Sequence, residues 1–379
     1  MKRERALRTL ALAFFFLVGA CSDTATWPDP VLPPVPEQLD DGWSVGTLQH
    51  AGMDPDVISA LDLDIRTGRI EEVDALLIAR HGKLVYERYV HPGTGARKLH
   101  PLASVTKSVL SMAMGVAVEQ GLVAGPGQPI RELLPQYADI FAEEPEKGEI
   151  TLRDVLTMTS GLAWDDSHPS SRERDGVYIY SAPDAGRYVL EKPLVHRPGT
   201  RFHYSGGDTQ ILATILSTVG GEEAGAFTYD QILHRVGVED HHWARLGDGS
   251  IDAAGGLSLR ARDLAVLGQL YLDQGDYRGR RIVTSRWVED SFHAWMATDK
   301  ATARYGFQWW MYRYAAGGSS NRPYGLITAS GFGGQKLFMV PERDLVVVFF
   351  GCTSEGYACG ISDAVPEQVM YNYILRAVR

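Results

Sequence analysis

Strand-like apolar runs lie near both ends of this chain, and the long stretch between them reads as helix. Val73–Arg80 and Lys83–Val90 flank a tight His81-Gly82 turn, which is the pattern of a β-hairpin. Towards the other end, Tyr305–Met311, Gln335–Val340 and Asp344–Phe350 read as three more strands, the last two joined through Pro341-Glu-Arg. An isolated hairpin cannot bury its faces, so the two groups are expected to share one sheet. The middle, roughly 104–275, shows helical periodicity at Ser104–Gln120, Thr151–Met158, Asp208–Ser217 and Ser258–Gln274. A helix opens near Met53 with Asp54 and Pro55 at its start, and another, Pro366–Val378, closes the chain. The expectation is an α/β (α+β) fold in which a sheet domain brackets a helical one, with a cleft where they meet.

The N-terminus predicts a destination. Lys2, Arg3, Arg5 and Arg8 precede an uncharged run, Thr9 to Ala20, and then Cys21. That is the pattern of an export signal over residues 1–20. Val18-Gly19-Ala20-Cys21 resembles a bacterial lipobox, so Cys21 is the expected lipidation site and the anchor to the membrane of the cell envelope or periplasm. Residues 21–42, rich in proline between Pro28 and Pro36, read as a stiff tether. Residues 43–379 form the folded domain, with its helical part at about 104–275. Cys352 and Cys359 flank a polar loop, and in an oxidising compartment a disulfide between them is expected. With a net charge of −10 and no Lys/Arg cluster after the first ten residues, nothing offers a footprint for nucleic acid.

Three elements carry chemistry. Ser104-Val-Thr-Lys107 opens the apolar helix. Residues three apart share a helix face, so the Lys107 amine can reach the Ser104 hydroxyl and take its proton. At the helix N-terminus, backbone N–H groups favour a developing oxyanion. Tyr204 follows a Pro198-Gly turn and precedes Gly206-Gly207; a phenol beside an amine can relay a proton to a leaving group. Ala329-Ser330-Gly331-Phe332-Gly-Gly334 leads into a strand, where glycine lets a substrate approach backbone N–H groups.

In this order the elements resemble the penicillin-recognising serine hydrolases: class C β-lactamases, DD-peptidases, related esterases and 6-aminohexanoate-dimer hydrolases. Their signature is S-x-x-K, then Y-x-N, then a K-T-G or H-x-G strand motif. Ile150–Leu162, Pro198–Ser205 and Gly255–Ala265 are similar flanking stretches, and the likeness covers roughly 45–375. The resemblance implies the β-lactamase/transpeptidase-like fold, an antiparallel sheet flanked by the N- and C-terminal helices. It makes Ser104 the acylated nucleophile, Lys107 its base and Tyr204 the second base. The N–H groups of Ser104 and Phe332 would form the oxyanion hole, with Tyr178, Gly206, Ser330 and Gly331 as substrate contacts. No metal or organic cofactor is implied.

Two positions depart from that signature. Gly206 stands where β-lactamases carry the asparagine of Y-x-N, and Ala329 where they carry a cation. Both missing groups hold a β-lactam, and the loss of a buried hydrogen-bond partner costs about 1–3 kcal/mol. The reading is therefore a serine hydrolase for a small-molecule ester or linear amide, on the esterase and 6-aminohexanoate-dimer-hydrolase branch. The alternatives are a class C-like β-lactamase or DD-peptidase, or a non-catalytic envelope protein that binds or senses through the cleft. There is no G-x-S-x-G, H-E-x-x-H or P-loop motif. His241-His242 reads as a surface pair in a polar loop. Trp309, Trp310, Tyr312 and Tyr314 fit either a cleft wall or a strand's core face.

Overall fold

The computed structural model describes residues 31–90, 94–166, 174–313, 325–351 and 364–379. Cys21, Cys352, Cys359 and Tyr314 lie outside the described residues, so nothing here bears on the expected lipidation or disulfide. Among the described residues no helix is long and apolar enough to cross a membrane.

The strand groups from the two ends do meet in one sheet of nine strands. These are β1 (Ser44–Val45), β2 (Val73–Arg80), β3 (Lys83–Tyr89), β4 (Met296–Ala297), β5 (Ala303–Tyr305), β6 (Trp310–Tyr312), β7 (Leu326–Gly331), β8 (Gln335–Val340) and β9 (Leu345–Gly351). Their spatial order is β1-β3-β2-β9-β8-β7-β6-β5-β4. Only β1 runs parallel to its neighbour; every other pairing is antiparallel. The central strands are buried on both faces, which is why they read as unbroken apolar runs. Val346, Val348 and Phe350 of β9 pack on one side with the helical layer, while Leu345, Val347 and Phe349 pack on the other with the terminal helices.

Helix α1 (Pro55–Arg66) is capped by the Asp54 side chain and lies on that second face with the closing segment, α6 (Ala364–Val369) and the turns that follow it. On the first face stand α2 (Val105–Glu119), α3 (Leu152–Leu156), α4 (Gly206–Gly220) and α5 (Ala261–Leu272). Every residue of α2 from Val105 to Ala117 is buried, so it is the central helix of this layer.

Three expectations change. The middle is not helical throughout: His100–Pro101, Leu257–Leu259 and His242–Trp243 form a small three-stranded sheet. The helix expected over Ser258–Gln274 starts only at Ala261 for that reason. His242 is thus in a strand, and the His241 ring stacks on Tyr229 at 4.7 Å. Finally, Tyr305–Met311 is not one strand. Gln308 adopts a left-handed backbone, φ 65°, and separates β5 from β6.

Gln308 breaks the strand because its polar groups are used elsewhere. Its amide donates to the carbonyls of Val155 and Leu156, and its backbone N–H also donates to Leu156. Its side-chain oxygen accepts from the Thr209 hydroxyl at 3.0 Å, and its carbonyl accepts from the Ser108 hydroxyl at 2.6 Å. One buried residue therefore ties α2, α3 and α4 to the sheet. Gln308→Ala should lower stability by about 2 kcal/mol by leaving buried groups unpaired, read as a fall in the urea midpoint without a change in slope.

Candidate active site

The loop before α2 is fixed at each residue. His100 stacks on Phe350 with ring centroids 4.2 Å apart and shares a hydrogen bond with Asp74 at 3.0 Å. Leu102 N–H donates to the Leu257 carbonyl. Ala103 then turns through φ 45°, a conformation that costs a non-glycine residue roughly 1–2 kcal/mol and brings Ser104 to the helix N-cap. Gly331 of β7 crosses this loop so closely that a Cβ there would stand 2.4 Å from the Leu102 carbonyl oxygen. Glycine at 331 is thus required by packing as well as by its place at the cleft.

Ser104 and Lys107 meet at the floor of a cleft of about 720 Å³. The Lys107 amine donates to Ser104 Oγ at 2.9 Å and to the Ala254 carbonyl at 2.6 Å. Lys107 is only 3% exposed, and among the described residues no carboxylate pairs with it. Its third neighbour is Tyr204, whose ring centroid is 5.2 Å from the amine. Tyr204 is held by aromatic contacts with Trp310 at 5.7 Å and Tyr305 at 6.4 Å. The Tyr305 phenol is fully buried, and desolvation pushes its pKa well above the ordinary range, so it acts as neutral packing while Tyr204 faces the cleft.

Ser330, Gly331 and Phe332 also line the cleft. Strand β6 pairs only with Leu326–Thr328 of β7, so the break at Gln308 leaves the rest of that β7 edge uncovered by β6. Ala329, at the position where the expected signature carries a cation, is fully buried. A cation nonetheless arrives from the next strand: Lys336, paired in register with Ser330, donates to its hydroxyl at 2.7 Å and pairs with Glu367 at 3.2 Å.

Gly206 lines the cleft beside an unexpected group. Its N–H donates to Asp166 Oδ2 at 2.6 Å, and Trp164 Nε1 donates to Oδ1 at 2.8 Å. A Cβ at 206 would lie 3.2 Å and 3.3 Å from those two oxygens and 3.1 Å from Ala254 Cβ. The Asp166 carboxylate therefore fills the room that a side chain at 206 would need. Of the rim tyrosines, Tyr180 lines the cleft; Tyr178 is half exposed and does not. Trp310 is on the wall, whereas Trp309 is buried in the core.

Asp166 and Asp252 are site residues whose roles the sequence reading missed. The Trp-Asp-Asp run in a rim loop and an aspartate followed by small residues, a common turn former, were the available signals. No group of three or more His, Cys, Asp or Glu among the described residues is arranged to hold a metal ion.

A family model described as beta-lactamase matches residues 70–360. The 6-aminohexanoate-dimer hydrolase of Paenarthrobacter ureafaciens is 27% identical over 314 residues, covering 74% of this chain and 73% of that protein. A structure titled putative 6-aminohexanoate-dimer hydrolase from Bacillus anthracis superposes with a TM-score of 0.67 at 22% identity, covering 92% of this chain and 88% of its own. EstCE1, titled a hydrolase with promiscuous acyltransferase activity, superposes at 0.66 and 18% identity, covering 85% and 98%. The expected β-lactamase/transpeptidase-like fold is thereby shown.

Two predictions follow from the packing of α4. Desolvation raises Asp208, fully buried in its first turn, to about 7 from 3.8. A carboxyl held above its unfolded value lends stability that is complete below about pH 4 and lost as pH rises through 7. Asp208→Asn should therefore melt at a temperature that changes less than wild type between pH 4 and pH 8. Restoring the family asparagine with Gly206→Asn should displace the Asp166 carboxylate, lower stability by about 1–3 kcal/mol, and leave nitrocefin unhydrolysed.

Proposed function

From the premise that this chain belongs to the beta-lactamase family, we propose that it hydrolyses a small ester or linear amide through an acyl-enzyme on Ser104. The observation that carries the reading is the 2.9 Å contact from a buried Lys107 amine to the Ser104 hydroxyl at the floor of an open cleft. In this reading Ser104 Oγ attacks the substrate carbonyl as its proton passes to the Lys107 amine. Tyr204, beside that amine, carries a proton to the departing alcohol or amine. The carbonyl oxygen, negative in the tetrahedral state, is met by the N–H groups of Ser104 and Phe332, the first at a helix N-terminus. Water then attacks the acyl carbonyl as its proton passes to the Lys107–Tyr204 pair. The bond from Ser104 Oγ to the acyl carbon breaks to release the acid, and that water-derived proton is delivered to Ser104 Oγ.

Two features favour a simple ester or amide over a β-lactam. Asp166, an acceptor only, stands where an asparagine would both donate and accept. Ala329 presents no cation to the cleft. The relative named a 6-aminohexanoate-dimer hydrolase and the neighbour named a hydrolase with acyltransferase activity support this branch.

A stopped-flow experiment with p-nitrophenyl butyrate tests the reading. Wild type should show a burst of nitrophenol and should be labelled at Ser104 by a fluorophosphonate probe. Ser104→Ala should lose both, with activity down at least about 10³-fold, and Tyr204→Phe should fall roughly 10²-fold. Full esterase activity in Ser104→Ala would overturn the mechanism.

A further inference from the structure

The Lys107 amine is aimed by a carbonyl, and that carbonyl belongs to a turn built around one carboxylate. Asp252 Oδ1 accepts from the N–H groups of Ala254 at 3.0 Å and Gly255 at 3.1 Å. The Asp252 carbonyl accepts from Gly256 N–H at 2.9 Å, and its own N–H donates to Ala244. These bonds curl residues 252–256 so that the Ala254 carbonyl points at Lys107 Nζ, 2.6 Å away. The turn is tied to the layer around it: Ala253 N–H donates to the Gln210 side chain, and Leu257 N–H donates to the Thr106 hydroxyl one residue before the lysine.

The second oxygen of Asp252 is used as well. Oδ2 accepts from the Tyr180 hydroxyl at 2.7 Å. Tyr180 belongs to Ile179–Ser181 on the cleft rim, and both residues line the cleft. A hydrogen-bonded line therefore runs from the rim to the base: Tyr180 to Asp252, through the turn to Ala254, and on to Lys107.

We propose that Asp252 is a positioning residue for the general base, which sets the direction of the Lys107 amine through the Ala254 carbonyl and is itself clamped by Tyr180. The physical reason is the burial of the amine. A buried amine needs its acceptors, and among the described residues the Lys107 amine has two hydrogen-bond partners, the Ala254 carbonyl and the Ser104 hydroxyl. With the carbonyl displaced, the single contact to Ser104 no longer fixes its direction. A turn that relaxes would let the amine rotate away from the line of proton transfer, and misplacement of about 1 Å can cost 10²-fold in rate. Asp252 does not touch the reacting atoms. Its effect is expected in the acylation step and not in substrate affinity. The inference rests on the acyl-enzyme reading of Ser104.

The test is the burst phase with p-nitrophenyl butyrate in Asp252→Ala, Asp252→Asn and Tyr180→Phe, each checked for a native melting transition. Asp252→Ala should slow the burst roughly 10²-fold while KM stays within about threefold. Asp252→Asn keeps an oxygen acceptor for the Ala254 and Gly255 N–H groups and should recover at least about tenfold of that loss. Tyr180→Phe, which removes the hydroxyl that clamps Asp252, should slow the burst several-fold. If Asp252→Ala does not fold, the Asn and Phe variants decide: an unchanged burst in Tyr180→Phe, or an Asn variant as slow as Ser104→Ala, overturns the proposal. An Ala variant whose KM rises while its burst rate holds also overturns it, because that is the mark of a substrate contact. Absence of any burst in wild type would instead remove the acyl-enzyme reading itself.

Discussion

An amine enclosed by apolar helix faces must be hydrogen-bonded or it destabilises the fold. Lys107 meets that constraint with one hydroxyl, one carbonyl and the nearby face of Tyr204. Much of the site follows from it. The 252–256 turn exists in a form that brings a carbonyl to the amine, the small sheet at His100–Pro101 and Leu257–Leu259 holds that turn beside the start of α2, and the aromatic group of Tyr305 and Trp310 presents Tyr204 to the same point. A carboxylate partner would have been the usual way to satisfy a buried lysine, as Glu144 does for Lys147. Here both hydrogen-bond partners of the amine are uncharged.

The sheet contributes through an interruption. Had residues 305–311 formed a continuous strand, the edge of β7 beyond Thr328 would have been open to pairing and closed to a substrate. Gln308 prevents this by turning its backbone out of the extended region and spending its amide on α3 and α4. The same residue that opens the edge also locks the helices against the sheet. Opening and rigidity are normally in conflict, and here one buried amide supplies both. Ala103, strained at φ 45°, is the counterpart beside Ser104, since local strain is tolerated where surrounding bonds over-determine the chain.

The two departures from the β-lactamase signature have structural partners. At Gly206 the space is taken by Asp166, and beside Ala329 the hydroxyl of Ser330 is held by Lys336 from the adjacent strand. Neither is a simple deletion. In each place a side chain from another element occupies or serves the position.

The amino-acid sequence by itself determined the fold class, the two-ended sheet and the pairing of Ser104 with Lys107. Those features are written in local pattern: unbroken apolar runs in β2, β8 and β9, and a three-residue spacing on one helix face. The sequence could not determine what depends on contacts far apart in the chain. The break at Gln308 overrides an apolar strand pattern because its partners, Leu156 and Thr209, lie about 100 or more residues away. The strand at Leu257–Leu259 competes with helix periodicity and wins through pairing with His100–Pro101. Tyr180 takes the cleft position that Tyr178 was expected to hold, because helix phase at a rim loop is set by packing. Asp166 and Asp252 acquire meaning only from the groups that the tertiary fold sets against them, a backbone N–H at Gly206 and the Tyr180 hydroxyl. Local pattern names the Ser104–Lys107 pair; long-range packing decides how the two side chains are aimed and what may approach them.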